Sequence, residues 1–164
     1  MIGEVIVALI LTSTAFKEGG AIPAKHSCDG METSPPLAWS GTPPGTVTFA
    51  LIVDDPDAPA RTWVDWVLFN LPGNLTALPE GVPKEDQLRE FGAALQGRND
   101  FRRIGYGGPC PPAGRAHRYI FRLYALDVAV PLRFEASKQE VERAMRGHVL
   151  AEATLMGTYA RHGR

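Results

Sequence analysis

HRYIFRLYALD, residues 117–127, is the longest strand-like segment in this chain of 164 residues. Its odd positions place His117, Tyr119, Phe121 and Leu123 on one face of an extended chain. Side chains that alternate with a period of two are typical of a β-strand. The segment therefore predicts a strand that begins with a histidine and a tyrosine on the same face, directly after a loop rich in glycine and proline.

Strand-like segments dominate the rest of the chain, and helical signals are few. Ser137 and Glu140 form the pattern of a capping box, which predicts the start of a helix that ends near Gly147. A shorter helix is predicted over Lys84–Phe91. Many strands, few helices, 17 glycines and 14 prolines predict a mostly β fold, a β-sandwich with a few peripheral helices. The other predicted strands are Val5–Leu11, Thr46–Val53, Val64–Asn70 and Val149–Tyr159.

The composition is that of a globular protein, and it argues against several classes of function. A length of 164 residues predicts a single domain over residues 1–164. With 17 Lys and Arg against 18 Asp and Glu, the net charge of -1 gives no basic excess for binding nucleic acid. No apolar run is long enough for a transmembrane segment, and no secretion signal is evident, so the cytoplasm is the predicted location.

The chain has two cysteines, Cys28 and Cys110. In the cytosol both are expected to stay reduced, and we interpret them as small side chains that are buried or half-buried. A disulfide between them is the alternative. Neither cysteine has the spacing to another Cys or His that a zinc site requires.

Two loops concentrate the residues suited to binding or chemistry. Asp54–Pro59, with the sequence DDPDAP, follows a predicted buried strand, and its prolines restrict the backbone. Such a loop either holds carboxylates in a fixed geometry or uses them to cap backbone N–H groups. Gly107–Gly114, with the sequence GGPCPPAG, forms a stiff wall shortly before His117 and Tyr119. A histidine and a tyrosine two residues apart beside a rigid loop favour the lining of a pocket.

Three stretches of the chain together resemble one protein family. They are SPPLAWSGTP at 34–43, DDPDAP at 54–59 and GYGGPCPPAGRAHRY at 105–119. All three resemble the phosphatidylethanolamine-binding protein family, and most closely its bacterial and archaeal branch, often called Raf-kinase-inhibitor-like. The resemblance covers nearly the whole chain. It implies a two-sheet antiparallel β-sandwich, Greek-key-like, with a small pocket that takes phosphate, phosphoryl head groups or other small anions.

The resemblance also implies which residues contact the ligand. His117 and Tyr119 would donate hydrogen bonds to the anion, and the backbone near Gly108 would assist them. Asp55 and Asp57 would orient these donors or accept from a ligand amine or hydroxyl. The full predicted set of ligand-binding residues is Asp55, Asp57, Asp65, Gly108, Pro111, Pro112, His117 and Tyr119.

Asp65 departs from the family pattern, because members of the family usually have a histidine at this place. A carboxylate that only accepts hydrogen bonds replaces a donor that can become cationic. If Asp65 faces the pocket, three carboxyl groups share it with one histidine, which raises the pKa of at least one of them. The pocket then keeps a proton on one aspartate and binds anions more weakly at high pH, or it prefers a neutral ligand, a cation or a metal ion. We favour an altered or weakened anion site over a metal site.

The sequence favours a small-ligand-binding protein over an enzyme. Inhibition of a protein kinase or a protease, and assembly as a homodimer, are implied by the resemblance alone. The alternatives are an acid–base enzyme that uses an aspartate and His117 on a small substrate, and a structural domain with a vestigial pocket. The chain contains no cofactor motif and no obvious nucleophile, so neither a cofactor nor a metal is predicted.

Overall fold

The computed structural model describes residues 7–161, and the fold is mostly β, as the sequence predicts. Residues 7–161 form two antiparallel sheets, one α-helix, α1 (Lys138–Met145), and two 3₁₀ helices, Ala24–His26 and Arg89–Phe91. The strands are β1 (Ile10–Thr12), β2 (Leu37–Ser40), β3 (Thr48–Asp55), β4 (Trp63–Pro72), β5 (Ala77–Leu78), β6 (Gln87–Leu88), β7 (Ala94–Gln96), β8 (His117–Leu126) and β9 (Val149–Tyr159).

The larger sheet has the strand order β6-β7-β4-β3-β8-β9, and the smaller one has the order β1-β2-β5. All eight residues of β3 are buried, because this strand packs on both of its faces. Phe49 and Leu51 lie in the core cluster that also holds Trp39 of the smaller sheet. Ala50 and Ile52 pack with residues of the opposite cluster. A strand buried on both faces is typically a continuous apolar run, which explains residues 49–53 of β3.

Helix α1 covers the second face of the larger sheet, and its predicted capping box is confirmed. Ser137 Oγ accepts from the Glu140 backbone N–H at 3.1 Å, and Glu140 Oε1 accepts from the Ser137 N–H at 3.2 Å. Val141, a residue of this helix, is buried between the helix and the sheet. The first residue of the helix, Lys138, donates to the buried Asp54 on β3 at 2.7 Å. No helix within residues 7–161 is long and apolar enough to cross a lipid bilayer.

Two predictions of local structure need correction. The predicted helix over Lys84–Phe91 is wrong, since strand β6 and a short 3₁₀ helix occupy most of this segment. The Gln96 side-chain amide donates to the carbonyl oxygens of Pro83 and Glu85, each at 2.7 Å, which holds the chain extended before β6. The predicted first strand, Val5–Leu11, lies partly outside the described residues, and within them β1 begins at Ile10.

The expectation that the two cysteines are reduced is also wrong. Cys28 and Cys110 form a disulfide, with their Cα atoms 5.3 Å apart and a separation of 82 positions in sequence. The two segments also meet through the backbone, because the Cys28 N–H donates to the Pro109 carbonyl at 3.1 Å. The long separation in sequence kept this contact out of reach of any local pattern.

Strand β9 lies at one edge of the larger sheet, and an earlier part of the chain covers its last residues. This covering segment is Gly19–Ile22. The Gly19 N–H donates to the Met156 carbonyl at 2.7 Å, and the Ile22 N–H donates to the Thr158 carbonyl at 2.7 Å. The C-terminal end of β9 therefore has hydrogen-bond partners on both sides, β8 on one and this covering segment on the other.

Candidate functional site

A cavity of about 220 Å³ opens where three neighbouring strands of the larger sheet end. Because the sheet is antiparallel, the last residue of β3 lies beside the first residues of β4 and β8. Asp55 ends β3, Trp63 begins β4 and His117 begins β8. The cavity is lined by Asp55, Ala58, Pro59, Trp63, Asp65, Phe101, Cys110, Pro111, Pro112, His117 and Tyr119.

The two loops that the sequence singles out therefore meet in space. Ala58 and Pro59 come from the aspartate- and proline-rich loop, and Cys110, Pro111 and Pro112 come from the glycine- and proline-rich wall. Prolines on two sides give the cavity rigid apolar walls, because their rings restrict backbone rotation. Of the eight residues predicted to contact a ligand, six line this cavity.

Asp55 and His117 form a pair inside the cavity. His117 Nδ1 lies 2.7 Å from Asp55 Oδ2, and both side chains are buried. The other Asp55 oxygen accepts from the Asp57 backbone N–H at 2.8 Å, so this carboxyl group also caps the loop. An ionised Asp55 holds the proton on Nδ1 and leaves Nε2 open, as an acceptor in the neutral ring and a donor in the imidazolium.

Asp57 is the first of two predicted residues that the structure places outside the cavity lining. Its carboxylate accepts from the Arg118 backbone N–H at 2.9 Å, from Nε at 3.0 Å and from Nη2 at 2.8 Å. These hydrogen bonds lower the pKa of Asp57 to about 2. Asp57 thus links the loop to strand β8, and both of its carboxylate oxygens are already hydrogen-bonded to Arg118.

Gly108 is the second of these residues. Its N–H donates to Glu32 Oε1 at 3.2 Å, so it does not point at the cavity with a free donor. The backbone packs so closely here that a Cβ at this position would lie 2.4 Å from the His26 carbonyl oxygen. Glycine is therefore required by packing against the segment near Cys28 rather than by a ligand.

Asp65 lines the cavity and occupies a β-bulge. The pairing of β3 with β4 steps from Val53 opposite Trp66 to Asp54 opposite Val64, which leaves Asp65 without a partner on β3. Bulges disrupt a ladder locally and re-aim a side chain. The Asp65 side chain is buried, and burial, followed by the charge of Asp55, raises its pKa well above the ordinary value.

Two aromatic residues add polar groups to the lining. Burial, and after it the nearby carboxyl groups, raises the pKa of Tyr119, so its hydroxyl stays protonated. Trp63 packs edge-on against Phe101, with the ring centroids 5.2 Å apart. The Trp63 Nε1–H is buried and has no hydrogen-bond partner among residues 7–161.

Five of the lining residues lie outside the predicted site: Ala58, Pro59, Trp63, Phe101 and Cys110. Three of them belong to the two loops already singled out, so the loops carried the signal but not the individual positions. Trp63 and Phe101 are ordinary packing residues in any local pattern. Within the described residues, no three His, Cys, Asp or Glu side chains form a group suited to a metal ion.

Residues 12–160 match the family described as "Phosphatidylethanolamine-binding protein". The chain belongs to this family. A relative from Methanothermobacter thermautotrophicus, named a UPF0098 protein, is 50% identical over 151 residues, which are 92% of this chain and 98% of that protein. A UPF0098 protein from Aquifex aeolicus is 45% identical over 91% of this chain and 86% of its own length.

Solved structures of two family members have the same fold. Escherichia coli YbcL, described as a member of the mammalian PEBP family, has a TM-score of 0.88 and 36% identity, over 94% of this chain and 99% of that chain. CT736 from Chlamydia trachomatis, described as a putative phosphatidylethanolamine-binding protein homolog, has a TM-score of 0.85 and 41% identity, over 94% and 98% of the two chains. Family membership identifies a ligand-binding fold and leaves the ligand of this chain to be argued from its cavity.

Proposed function

We propose that this protein binds a small anion in the cavity, such as phosphate or the phosphoryl group of a larger molecule. The observation that supports this most directly is the donor set of one lining. It combines Nε2 of His117, a donor in the imidazolium form, with the hydroxyl of Tyr119 and the buried, unpartnered Nε1–H of Trp63. A buried donor without an acceptor costs about 1–3 kcal/mol, and the oxygens of an anion would supply acceptors.

The size and walls of the cavity favour a small group over a large ligand. Its volume of about 220 Å³ is below the roughly 300–1,000 Å³ of sites for drug-sized molecules. The rings of Pro111, Pro112 and Phe101 would exclude water around such a group, and fewer waters strengthen each hydrogen bond to it.

Calorimetric titration with inorganic phosphate tests the proposal. His117→Ala should weaken binding at least tenfold, because it removes a donor from the lining. His148→Ala is the matched control, since His148 also pairs with a carboxylate, Asp127 Oδ1 at 2.9 Å, but lies outside the cavity and is exposed. Equal affinity in both variants, or no binding by the unmodified protein between pH 5 and 8, would count against the anion site and favour a vestigial pocket.

The Asp55–His117 pair supports an acid–base enzyme as a second candidate function. A carboxylate that fixes Nδ1–H leaves Nε2 able to take a proton from a water molecule or a substrate hydroxyl. Turnover of p-nitrophenyl acetate or p-nitrophenyl phosphate that disappears in His117→Ala and persists in His148→Ala would establish this function. Rates equal to the buffer alone would reject it for these substrates.

A regulatory role in protein inhibition extends the proposal, and its support is family membership alone. Purified protein should inhibit a protein kinase or a protease in a panel of purified enzymes, and should sediment as a homodimer.

The predicted cytoplasmic location needs a host whose intracellular proteins carry disulfides, as those of hyperthermophiles do, because Cys28 and Cys110 are paired. Fractionation of the host cell with a thiol-trapping reagent would test the location and the pairing together.

A further inference from the structure

Asp65 is a carboxyl group of the cavity lining that has no hydrogen-bond partner among residues 7–161. Its side chain is 1% exposed, and among residues 7–161 neither Oδ1 nor Oδ2 has a hydrogen bond. Buried side-chain oxygens in proteins are nearly always hydrogen-bonded. Two bare oxygens on one buried carboxyl group, on a bulge residue that lines the cavity, therefore indicate that a partner arrives from outside the protein.

The groups that face Asp65 are mainly acidic. From β3, Asp55 lies in the same cavity lining and its charge opposes a second negative charge nearby. Asp54 adds to this from the other face of the strand, where it pairs with Arg122 and Lys138. Burial opposes it further, because an ionised carboxyl group loses its water shell. The titratable groups around Asp65 from all packed elements are Glu32, Asp54, Asp55, Asp100, Tyr106, His117 and Tyr119.

The net charge of the cavity decides which ligand suits Asp65. An ionised Asp55 and a protonated His117 cancel each other, so an ionised Asp65 would leave the lining negative and would repel an anion. A protonated Asp65 leaves the lining neutral and adds an O–H donor. Only the protonated form is compatible with an anion held by His117.

We infer that the cavity binds an oxyanion and a proton together, with the proton on Asp65 and its O–H donating to the anion. This inference rests on the proposed small-anion site and adds the rule by which the site responds to pH. At a pH where Asp65 is ionised in the free protein, each bound anion brings one proton with it. The contribution of Asp65 then lowers the affinity by about tenfold for each unit of rising pH.

Sulfate is the suitable probe, because its charge does not change between pH 5 and 9, whereas that of phosphate does. Its affinity is measured by calorimetry across this range for the unmodified protein, for Asp65→Asn and for Asp127→Asn. Asparagine has nearly the same shape as aspartate, always has an N–H donor and cannot titrate. Asp127 is an exposed carboxylate paired with His148 outside the cavity, so its variant controls for the loss of one negative charge.

The expected result is that affinity falls with pH more steeply in the unmodified protein and in Asp127→Asn than in Asp65→Asn. Any slope that remains in Asp65→Asn comes from groups other than Asp65. At pH 9 the Asp65→Asn variant should bind sulfate at least tenfold more tightly than the unmodified protein. Parallel slopes in all three proteins would overturn the inference and leave the anion site intact.

Two further outcomes keep the test decisive. If neither sulfate nor phosphate binds at any pH, the proposed anion site fails, and the inference fails with it. If the unmodified protein instead binds ethanolamine more tightly as pH rises, and Asp65→Asn abolishes that binding, Asp65 serves a cation and the inference is wrong. If Asp65→Asn does not fold, proton uptake by the unmodified protein replaces it as the test. Calorimetry in two buffers of different ionisation heat measures this uptake. At a pH above the pKa of Asp65, the contribution of Asp65 must approach one proton per bound sulfate.

Discussion

Reduction of the Cys28–Cys110 disulfide should lower the stability of the protein by an amount that its sequence separation sets. In the chain-entropy account, a cross-link lowers the conformational entropy of the unfolded chain by an amount that grows with the logarithm of the number of residues in the loop it closes. The loop here spans 82 residues. That length corresponds to about 15 cal/mol/K, or about 4.5 kcal/mol at 25 °C.

Urea unfolding with and without a dithiol reductant measures this difference. With a denaturant dependence of about 2 kcal/mol per molar urea, the midpoint should move down by about 2 M. The fold itself should persist on reduction, since hydrogen bonds between the two segments remain, including the one from Cys28 to Pro109. Tryptophan fluorescence follows the transition, because the three tryptophans lie in the core or at the cavity.

The double variant Cys28→Ser and Cys110→Ser is the control. It should unfold at the midpoint of the reduced protein and should not respond to the reductant. A loss below about 1 kcal/mol on reduction would refute the reasoning, because the bond would then add little to the restriction already present in the unfolded chain. A reductant effect of equal size in the double variant would refute it as well.

Substitutions at three other residues test separate parts of the structure. Above pH 4 the Asp65→Asn variant should gain stability relative to the unmodified protein by about 1.4 kcal/mol per pH unit. The reason is that the raised pKa of Asp65 makes the folded state retain a proton that the unfolded state releases. Urea unfolding from pH 4 to 8 measures this difference in stability, and a difference that stays constant with pH would contradict the prediction. Asp54→Asn should lower the free energy of unfolding by about 2 kcal/mol in the same assay at pH 7, since it weakens the ion pairs with Arg122 at 2.6 Å and Lys138 at 2.7 Å. An unchanged urea midpoint would show that these ion pairs add nothing to stability. Ser137→Ala should cost about 1 kcal/mol by removing the cap of helix α1, whereas Ser137→Asp should keep most of that stability.

Local patterns predicted the elements whose stabilising contacts are local. The capping box of α1 involves two residues that are three positions apart, and β9 occupies the predicted range Val149–Tyr159. Strand β8 begins at His117, where the loop of glycines and prolines gives way to alternating side chains. In these segments the sequence within one turn or one strand already determines the backbone.

Predictions failed where a distant residue determines the local backbone. The segment before β6 has a helical pattern, yet the Gln96 side chain and pairing with β7 hold it extended. Hydrogen bonds made by the tertiary structure override a weak helical preference of this kind. The disulfide was only the alternative for the same reason, since its two cysteines are 82 positions apart in sequence.

The candidate site was predictable as two loops and a strand end, but not in its details. Asp55 and Asp57 are equivalent in the sequence, and only the structure separates them, one in the cavity lining and the other bound to Arg118. The position of Asp65 depends on a bulge in β4, and a bulge shifts the register without leaving a local signature. Conformations that depend on strand pairing need the paired strand to be known.

The segment that covers the end of β9 has a consequence for how the protein associates. An uncovered strand at a sheet edge offers a row of N–H and carbonyl groups to which a strand of another molecule can add. Gly19–Ile22 already occupies those groups at Met156 and Thr158. A Cβ at Gly157 would lie 2.6 Å from the Ile22 side chain and would crowd this covering segment. A substitution that displaced the segment would open the edge of β9 to polymerisation.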